Sequence, residues 1–175
     1  MEPDRESEQP HDPPMARAER PLVVVANRLP VRFDERQGAW IASPGGLVSA
    51  LRPVAERRCG TWVGWNDSAR PPPRSKGLRL HAADIRSEDA EAYYAGCSNS
   101  TLWPALHGLA DQVEQRRDWW ESYFAVNDQF ADAVAAVAPP ASTVWLHDYH
   151  LLAAPSRLAA LRPDLRLGLF LHTPF

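Results

Sequence analysis

The fold class is indicated by the segment Leu22-Val23-Val24-Val25-Ala26-Asn27-Arg28-Leu29-Pro30, in which an unbroken apolar run ends in polar residues. Valine-rich runs that do not alternate with polar residues are typical of strands buried on both faces of a parallel sheet. Gly45 and Gly46 follow, and the apolar spacing in residues 47–57 predicts a helix directly after them. The order of strand, glycine loop and helix indicates a parallel α/β domain.

The rest of the chain continues this alternation. We predict strands at 61–65, 78–81, 143–146 and 165–171, and helices at 87–94, 119–137 and 150–161. Residues 27–46 and the prolines at 71–73 are interpreted as loops. We therefore expect a Rossmann-like open parallel sheet in a domain spanning 21–175, after a disordered tail at 1–20 whose composition buries almost nothing.

Bulk composition excludes several classes of protein. The chain has 175 residues, 45% of them hydrophobic, and a formal net charge of -3, with its basic residues scattered instead of gathered into a stripe. We therefore expect no nucleic-acid partner. No apolar run approaches the roughly 20 residues that cross a bilayer, so we expect no membrane partner. Cys59 and Cys97 lie far apart without metal-ligand spacing, which predicts a reducing, cytoplasmic location without a disulfide framework or zinc site. No other ligand cluster stands out, and we expect no metal and no cofactor.

The polar residues after the first strand suggest an anion site. Arg28 supplies a guanidinium, and Gly45 and Gly46 stand where the backbone N–H groups of a helix N-terminus become available to a phosphate. The alternative is an ordinary turn with an exposed arginine.

Two further clusters suit a sugar phosphate. Tyr94 and Trp103 could stack on a sugar ring or bond its substituents, although both could instead be core aromatics. Asp148 follows the predicted strand at 143–146 and could accept hydrogen bonds from hydroxyls, cap the next helix, or do both. His172 follows the last strand. Because carboxyl ends of parallel strands share one edge, we expect Arg28, Asp148 and His172 to converge there.

These motifs together resemble the trehalose-6-phosphate synthases, retaining glycosyltransferases with two Rossmann-like domains. The resemblance rests on Asn-Arg-Leu-Pro at 27–30, Pro-Gly-Gly-Leu at 44–47, Leu-Trp-Pro at 102–104, His-Asp-Tyr-His at 147–150 and Phe-Leu-His-Thr-Pro-Phe at 170–175. It covers nearly the whole chain after residue 20. It implies that the chain is the N-terminal, acceptor-side half of a GT-B fold.

The resemblance also implies roles for individual residues. Arg28 and Tyr94 would contact the phosphate of glucose 6-phosphate, Asp148 would bind the sugar of this acceptor, and Trp103 would orient it. Gly45 and Gly46 would meet the diphosphate of the nucleotide-glucose donor, and His172 would touch the donor glucose. His172 and Asp148 would then be the catalytic residues. In the family, the leaving diphosphate is thought to take the acceptor's proton, with no protein nucleophile and no metal.

Relative to the family, the donor-binding domain is missing, so we expect the chain alone to be inactive. The nucleotide stays open because its contacts belong to that domain, with UDP-glucose as the donor that the resemblance suggests. The oligomeric state is also open, and a homo-oligomer is one alternative. Two other functions remain open: a non-catalytic acceptor-binding or regulatory module, and a synthase of a related pseudo-disaccharide.

Overall fold

Strands and helices alternate along the computed structural model, which describes residues 19–173. Residues 1–18 of the predicted tail lie outside the described residues. The strands are β1 (Leu22–Arg28), β2 (Val31–Asp34), β3 (Ala39–Ala42), β4 (Thr61–Trp65), β5 (Arg79–Ala83), β6 (Thr143–His147) and β7 (Arg166–Phe170). The α-helices are α1 (Gly46–Arg57), α2 (Ser87–Glu91), α3 (Trp103–Leu106), α4 (Arg117–Val137) and α5 (Ala154–Leu161). A π-helix spans Ala92–Leu102, and 3-10 turns span Ala110–Gln112 and Tyr149–Leu151.

Five strands form one parallel sheet in the order β5-β4-β1-β6-β7, which confirms the predicted open α/β architecture. After β1, the chain builds β4 and β5 on one side of it and then β6 and β7 on the other. The direction of winding therefore changes between β1 and β6. In open α/β sheets, ligands bind in the crevice outside the carboxyl ends of the strands at such a switch point.

β1 is the central strand, and both of its faces are covered. Val23 and Val25 belong to a core with Phe130 of α4, whereas Val24 belongs to a second core with Leu51 of α1. Each fully buried valine contributes roughly 1.5–3 kcal/mol relative to an exposed one. Burial on both faces is the reason that this strand lacks the alternation of a half-exposed strand.

The segment after β1, predicted as a loop, contains an antiparallel hairpin of β2 and β3. Phe33 and Trp40 pack edge to face across it, with ring centroids 5.6 Å apart, and Gly38 turns the chain with a φ of 61°. The prediction was wrong because the hairpin depends on a cross-strand pair and not on a run of apolar residues.

Two helix predictions also need correction. The helix expected at 87–94 ends at Glu91 and continues as the π-helix, in which Gly96 lies so close to Trp119 that a Cβ would come within 2.7 Å of the ring. The helix expected at 150–161 begins only at Ala154, after a 3-10 turn. There, the Oδ1 of Asn127 accepts hydrogen bonds from the first N–H groups of α5, which is a long-range cap.

Between residues 19 and 173, no helix is long and apolar enough to cross a membrane. The same part of the chain contains no group of three or more His, Cys, Asp or Glu side chains that could hold a metal ion. Cys59 is exposed and Cys97 is buried, both as free thiols.

Candidate active site

A cavity of about 390 Å³ lies at the switch point, outside the carboxyl ends of β1 and β6. Its volume falls in the range of small-molecule sites. Four residues that the sequence singles out line it: Arg28, Gly45, Tyr94 and Asp148. They come from the ends of two strands, the N-terminus of α1 and the π-helix. The predicted convergence of strand ends therefore holds for Arg28 and Asp148.

Arg28, the last residue of β1, is held between two aromatic rings. Its Cζ lies 4.8 Å from the ring centroid of Trp65 and 5.2 Å from that of Tyr94. One guanidinium nitrogen donates to Asp67 at 2.8 Å, and the side chain remains 42% exposed. A planar guanidinium has five N–H donors, so this one can still bind an anion in the cavity. Cation–π attraction to both rings helps to hold the guanidinium at this position.

Asp148 caps the 3-10 turn after β6. Its Oδ1 accepts hydrogen bonds from the backbone N–H of Tyr149 at 3.0 Å and of His172 at 3.4 Å. Both bonds use the same oxygen, which leaves Oδ2 available to a ligand, so the capping and binding roles coexist. The backbone of Asp148 has a φ of 76°, in the left-handed region that costs free energy for a non-glycine residue. Such strain is concentrated at functional sites.

His147 connects the cavity to His172. Its ring lines the cavity, is 1% exposed, and has Nδ1 3.0 Å from the Nε2 of His172. Burial, assisted by the neighbouring His172, lowers the pKa of His147 to about 4. His172 itself is exposed and meets the site through this contact and through its backbone bond to Asp148.

His150 supports the aromatic wall. Its ring stacks on Tyr149, with centroids 4.1 Å apart, and on Tyr94, with centroids 5.8 Å apart. Burial lowers the pKa of His150 to about 4. The ring is therefore neutral near pH 7 in this structure, where it packs on Tyr94.

The two glycines begin α1 beside the cavity. Gly45 lines it and has a φ of 129°, which side chains rarely allow, and Gly46 is the first helical residue. A Cβ added to either glycine would meet no heavy atom within 4 Å. The space above the helix N-terminus is thus open to a ligand.

Trp103 is not brought into the cavity. It begins α3, is 39% exposed, and stacks on His107 with ring centroids 4.2 Å apart. By contrast, sequence reasoning missed Trp65 and Asp67 as cavity residues. Both lie at the carboxyl end of β4, so the strand-end rule that selected Arg28 could have found them.

Buried amide and phenol groups hold the loop after β6 in place. The Nδ2 of Asn127 donates to the carbonyl oxygens of Tyr123 and His150, and the Tyr123 hydroxyl donates to the carbonyl of Tyr149. Asn127 is fully buried, and all of these partners are buried or half-buried. Satisfied buried networks of this kind rigidify a site.

A guanidinium, a carboxylate and a glycine-opened helix N-terminus surround one cavity at the switch point of a Rossmann-like domain, and such groups are suited to anions and hydroxyl groups. The chain matches the model of Glycosyltransferase family 20 over residues 20–175 and belongs to that family.

Named relatives agree with this assignment. The chain is 46% identical over 160 residues to the trehalose-6-phosphate synthase of Mycolicibacterium smegmatis, covering 88% of this chain and 32% of that protein. It superposes with a TM-score of 0.77 on a UDP-forming alpha,alpha-trehalose-phosphate synthase from Burkholderia vietnamiensis, at 32% identity, covering 91% of this chain and 35% of that one. With the Burkholderia xenovorans enzyme in complex with glucose-6-phosphate, the TM-score is 0.73 and the identity 31%, covering 89% and 34%. The chain spans about a third of the length of the curated relatives it matches.

Proposed function

We propose that this chain is the acceptor-binding part of a glucosyltransferase that makes alpha,alpha-trehalose 6-phosphate from a nucleotide-glucose and glucose 6-phosphate, with retention of configuration. UDP-glucose is the proposed donor, because a similar structure is described as UDP-forming. Glucose 6-phosphate is the proposed acceptor, because another similar structure contains it. Residues 21–175 would form the acceptor domain.

One observation supports this proposal above the others: Arg28 and Asp148 line the same cavity. A guanidinium forms strong charge-assisted bonds with a phosphate, and a carboxylate accepts hydrogen bonds from sugar hydroxyls. Tyr94, stacked on the guanidinium, would contact the same phosphate. A ligand that satisfies both ends must carry an anionic group and hydroxyls on one small skeleton, as a hexose phosphate does.

The donor would approach from the α1 side. Gly45 and Gly46 leave the helix N-terminus open, and the backbone N–H groups there would bind the diphosphate. His172, joined to the site through His147 and Asp148, would contact the donor glucose. In this scheme, the residues act by positioning the two substrates and stabilising charge, which can supply a large part of a rate enhancement.

Arg28→Ala tests the acceptor assignment. Titration calorimetry of the chain would compare glucose 6-phosphate with glucose. Loss of a charge-assisted contact of about 1.5–3 kcal/mol should weaken glucose 6-phosphate binding by roughly ten-fold to over a hundred-fold. Glucose binding should change much less. Arg117→Ala is the matched control, because the Arg117 side chain is 93% exposed on α4 and forms an ion pair with the exposed Glu121.

Asp148→Asn completes the comparison. It retains shape but removes the carboxylate charge, so glucose 6-phosphate and glucose should weaken by similar factors. The ratio of the two affinities would then separate the variants. If Arg28→Ala leaves this ratio unchanged, Arg28 does not bind the acceptor phosphate and the proposal is wrong.

A further inference from the structure

The buried end of the His147 ring constrains where the histidine protons lie. Its Nε2 is buried and has no hydrogen-bond partner among residues 19–173, whereas its Nδ1 lies 3.0 Å from the Nε2 of His172. The ring is enclosed by Trp145, with centroids 4.6 Å apart, and by Phe170 at 6.5 Å. Neither neighbouring ring contains a hydrogen-bond acceptor.

Only one proton sits between the two rings when both are neutral. In the first arrangement, His147 carries its proton on Nδ1 and donates it to His172, and the orphaned Nε2 is a bare acceptor. In the second, His172 donates, and His147 must carry its own proton on Nε2. That N–H would then be buried without an acceptor. Among backbone groups, orphaned buried N–H groups are rarer than under-satisfied acceptors, and we extend this preference to the imidazole.

We infer that His147 is a positioning residue: its Nδ1–H donates to the Nε2 of His172 and thereby fixes His172 in the tautomer that carries its proton on Nδ1. His172 is exposed, so this Nδ1–H remains available as a hydrogen-bond donor. The low pKa of His147, about 4, agrees with a neutral ring near pH 7. The neighbouring Asp148 carboxylate accepts backbone hydrogen bonds through Oδ1, and its charge acts to raise the pKa of His147, but burial has the larger effect.

In other sites, the hydrogen bond made by one ring nitrogen of a histidine determines whether the other nitrogen is protonated. Here, the hydrogen-bond partner of His172 is another histidine instead of a carboxylate. A neutral imidazole donor orients its partner without adding charge to a site that would bind phosphates. Under the proposed function, on which this step rests, the Nδ1–H of His172 would be oriented toward an oxygen of the donor sugar.

Nuclear magnetic resonance decides the tautomers directly. Long-range proton-nitrogen spectra of the histidine-labelled chain at pH 8, above the ordinary histidine pKa of about 6.5, distinguish protonated from bare ring nitrogens. We expect both rings to be protonated on Nδ1 and bare on Nε2, by roughly ten-fold or more over the other tautomer. A coupling through the hydrogen bond between His147 and His172 should also be visible. Protonation of His172 on Nε2, or an even mixture, would overturn the inference.

Two variants test the donor itself. His147→Phe keeps a ring but removes the donor, so His172 should relax to a mixture of tautomers. His147→Asn places an amide N–H close to the position of Nδ1, so the tautomer of His172 should be retained. If His147→Phe leaves His172 unchanged, His147 does not control it. Methyl resonances of Val23 and Val25 report whether each variant is folded, and the wild-type spectrum remains decisive even if one variant is not.

A catalytic measurement separates this inference from the proposed function. In the full-length enzyme that contains this chain, His147→Phe should lower kcat about ten-fold with little change in the KM for glucose 6-phosphate, and His147→Asn should restore most of the loss. If the spectra agree with the inference but kcat is unaffected, the tautomer assignment stands and the role of His172 in the proposed function fails. If no transfer activity is found in the wild-type enzyme, the proposed function fails while the tautomers are still measured.

Discussion

Gly64 links the packing of the sheet to the position of Arg28 in the candidate site. It lies in β4, and a Cβ there would come within 2.5 Å of the carbonyl carbon of Arg28 and 2.6 Å of the nitrogen of Leu29. These are backbone atoms, in the part of β1 where the register with β4 is irregular. They cannot move away without displacing Arg28 from its place between Trp65 and Tyr94.

Gly64→Ala should therefore destabilise the fold and impair anion binding together. Overpacking usually costs 1–3 kcal/mol, and a clash with backbone belongs at the upper end, at about 3 kcal/mol. In a domain of this size, each kcal/mol lowers Tm by roughly 2–4 °C, so the expected drop is about 6–12 °C. Thermal unfolding followed by circular dichroism would measure it.

Gly168→Ala is the matched control. Gly168 also lies within a strand of the same sheet, but its nearest atom to an added Cβ is the Cδ1 of Trp145 at 3.9 Å, an ordinary contact. Its Tm should stay within about 2 °C of the wild type, since surface substitutions away from special features are usually within 0.5 kcal/mol. A Gly64→Ala protein as stable as this control would refute the packing described for β1 and β4.

Three further predictions concern the cavity and its surroundings. Asp67→Asn should tighten binding of glucose 6-phosphate by up to about five-fold in calorimetry, because the exposed ion pair between Asp67 and Arg28 contributes at most about 1 kcal/mol. Weaker binding would mean that Asp67 helps to hold the ligand. Gly46→Val should leave Tm nearly unchanged, since a Cβ at this position has open space. It should raise the KM for the nucleotide-glucose in a full-length enzyme, because the side chain would block the helix N-terminus. Unchanged kinetics would make Gly46 only a structural glycine. The pKa values of His147 and His150, lowered to about 4, mean that the unfolded chain binds more protons than the folded one between about pH 6.5 and 4. The free energy of unfolding should therefore fall as pH decreases through this window, and it should fall less in His147→Phe; equal slopes in urea unfolding would contradict the burial of His147.

The sequence was sufficient where the signal is local. Residues 22–26 combine unbroken hydrophobicity with β-branched side chains, and this strand is the centre of the sheet. The helix at 119–137 has a regular apolar spacing and was predicted nearly to its ends. Where neighbouring residues did not contain the information, prediction failed. The hairpin of β2 and β3 depends on the packing of Phe33 against Trp40. The backbone hydrogen bonds of a π-helix join residues five apart, and a search for 3.6-residue hydrophobic periodicity does not detect such a helix.

The candidate site divides in the same way. Arg28 and Asp148 were predicted to share one edge because all carboxyl ends of a parallel sheet point the same way. The distance between strands along that edge was not predictable, because it depends on strand order. The order β5-β4-β1-β6-β7 makes β4 and β6 the two neighbours of β1, which brings Asp67 to Arg28 across 39 residues of sequence. Trp103 was chosen for its aromatic ring and for its place in the Leu-Trp-Pro motif, and the course of the π-helix takes it outside the cavity.

The class of fold, the central strand, the helices at 47–57 and 119–137 and the polar residues at strand ends could be read from the sequence alone. These properties depend on hydrophobic periodicity and on the short motifs between the elements, which are local in the chain. The contacts of Arg28 with Trp65 and Tyr94, and of His147 with His172, became known only from the folded chain. Such contacts join residues far apart in sequence, and the packing of β4, β6 and the π-helix around β1 selects them. No local preference of either partner specifies that packing.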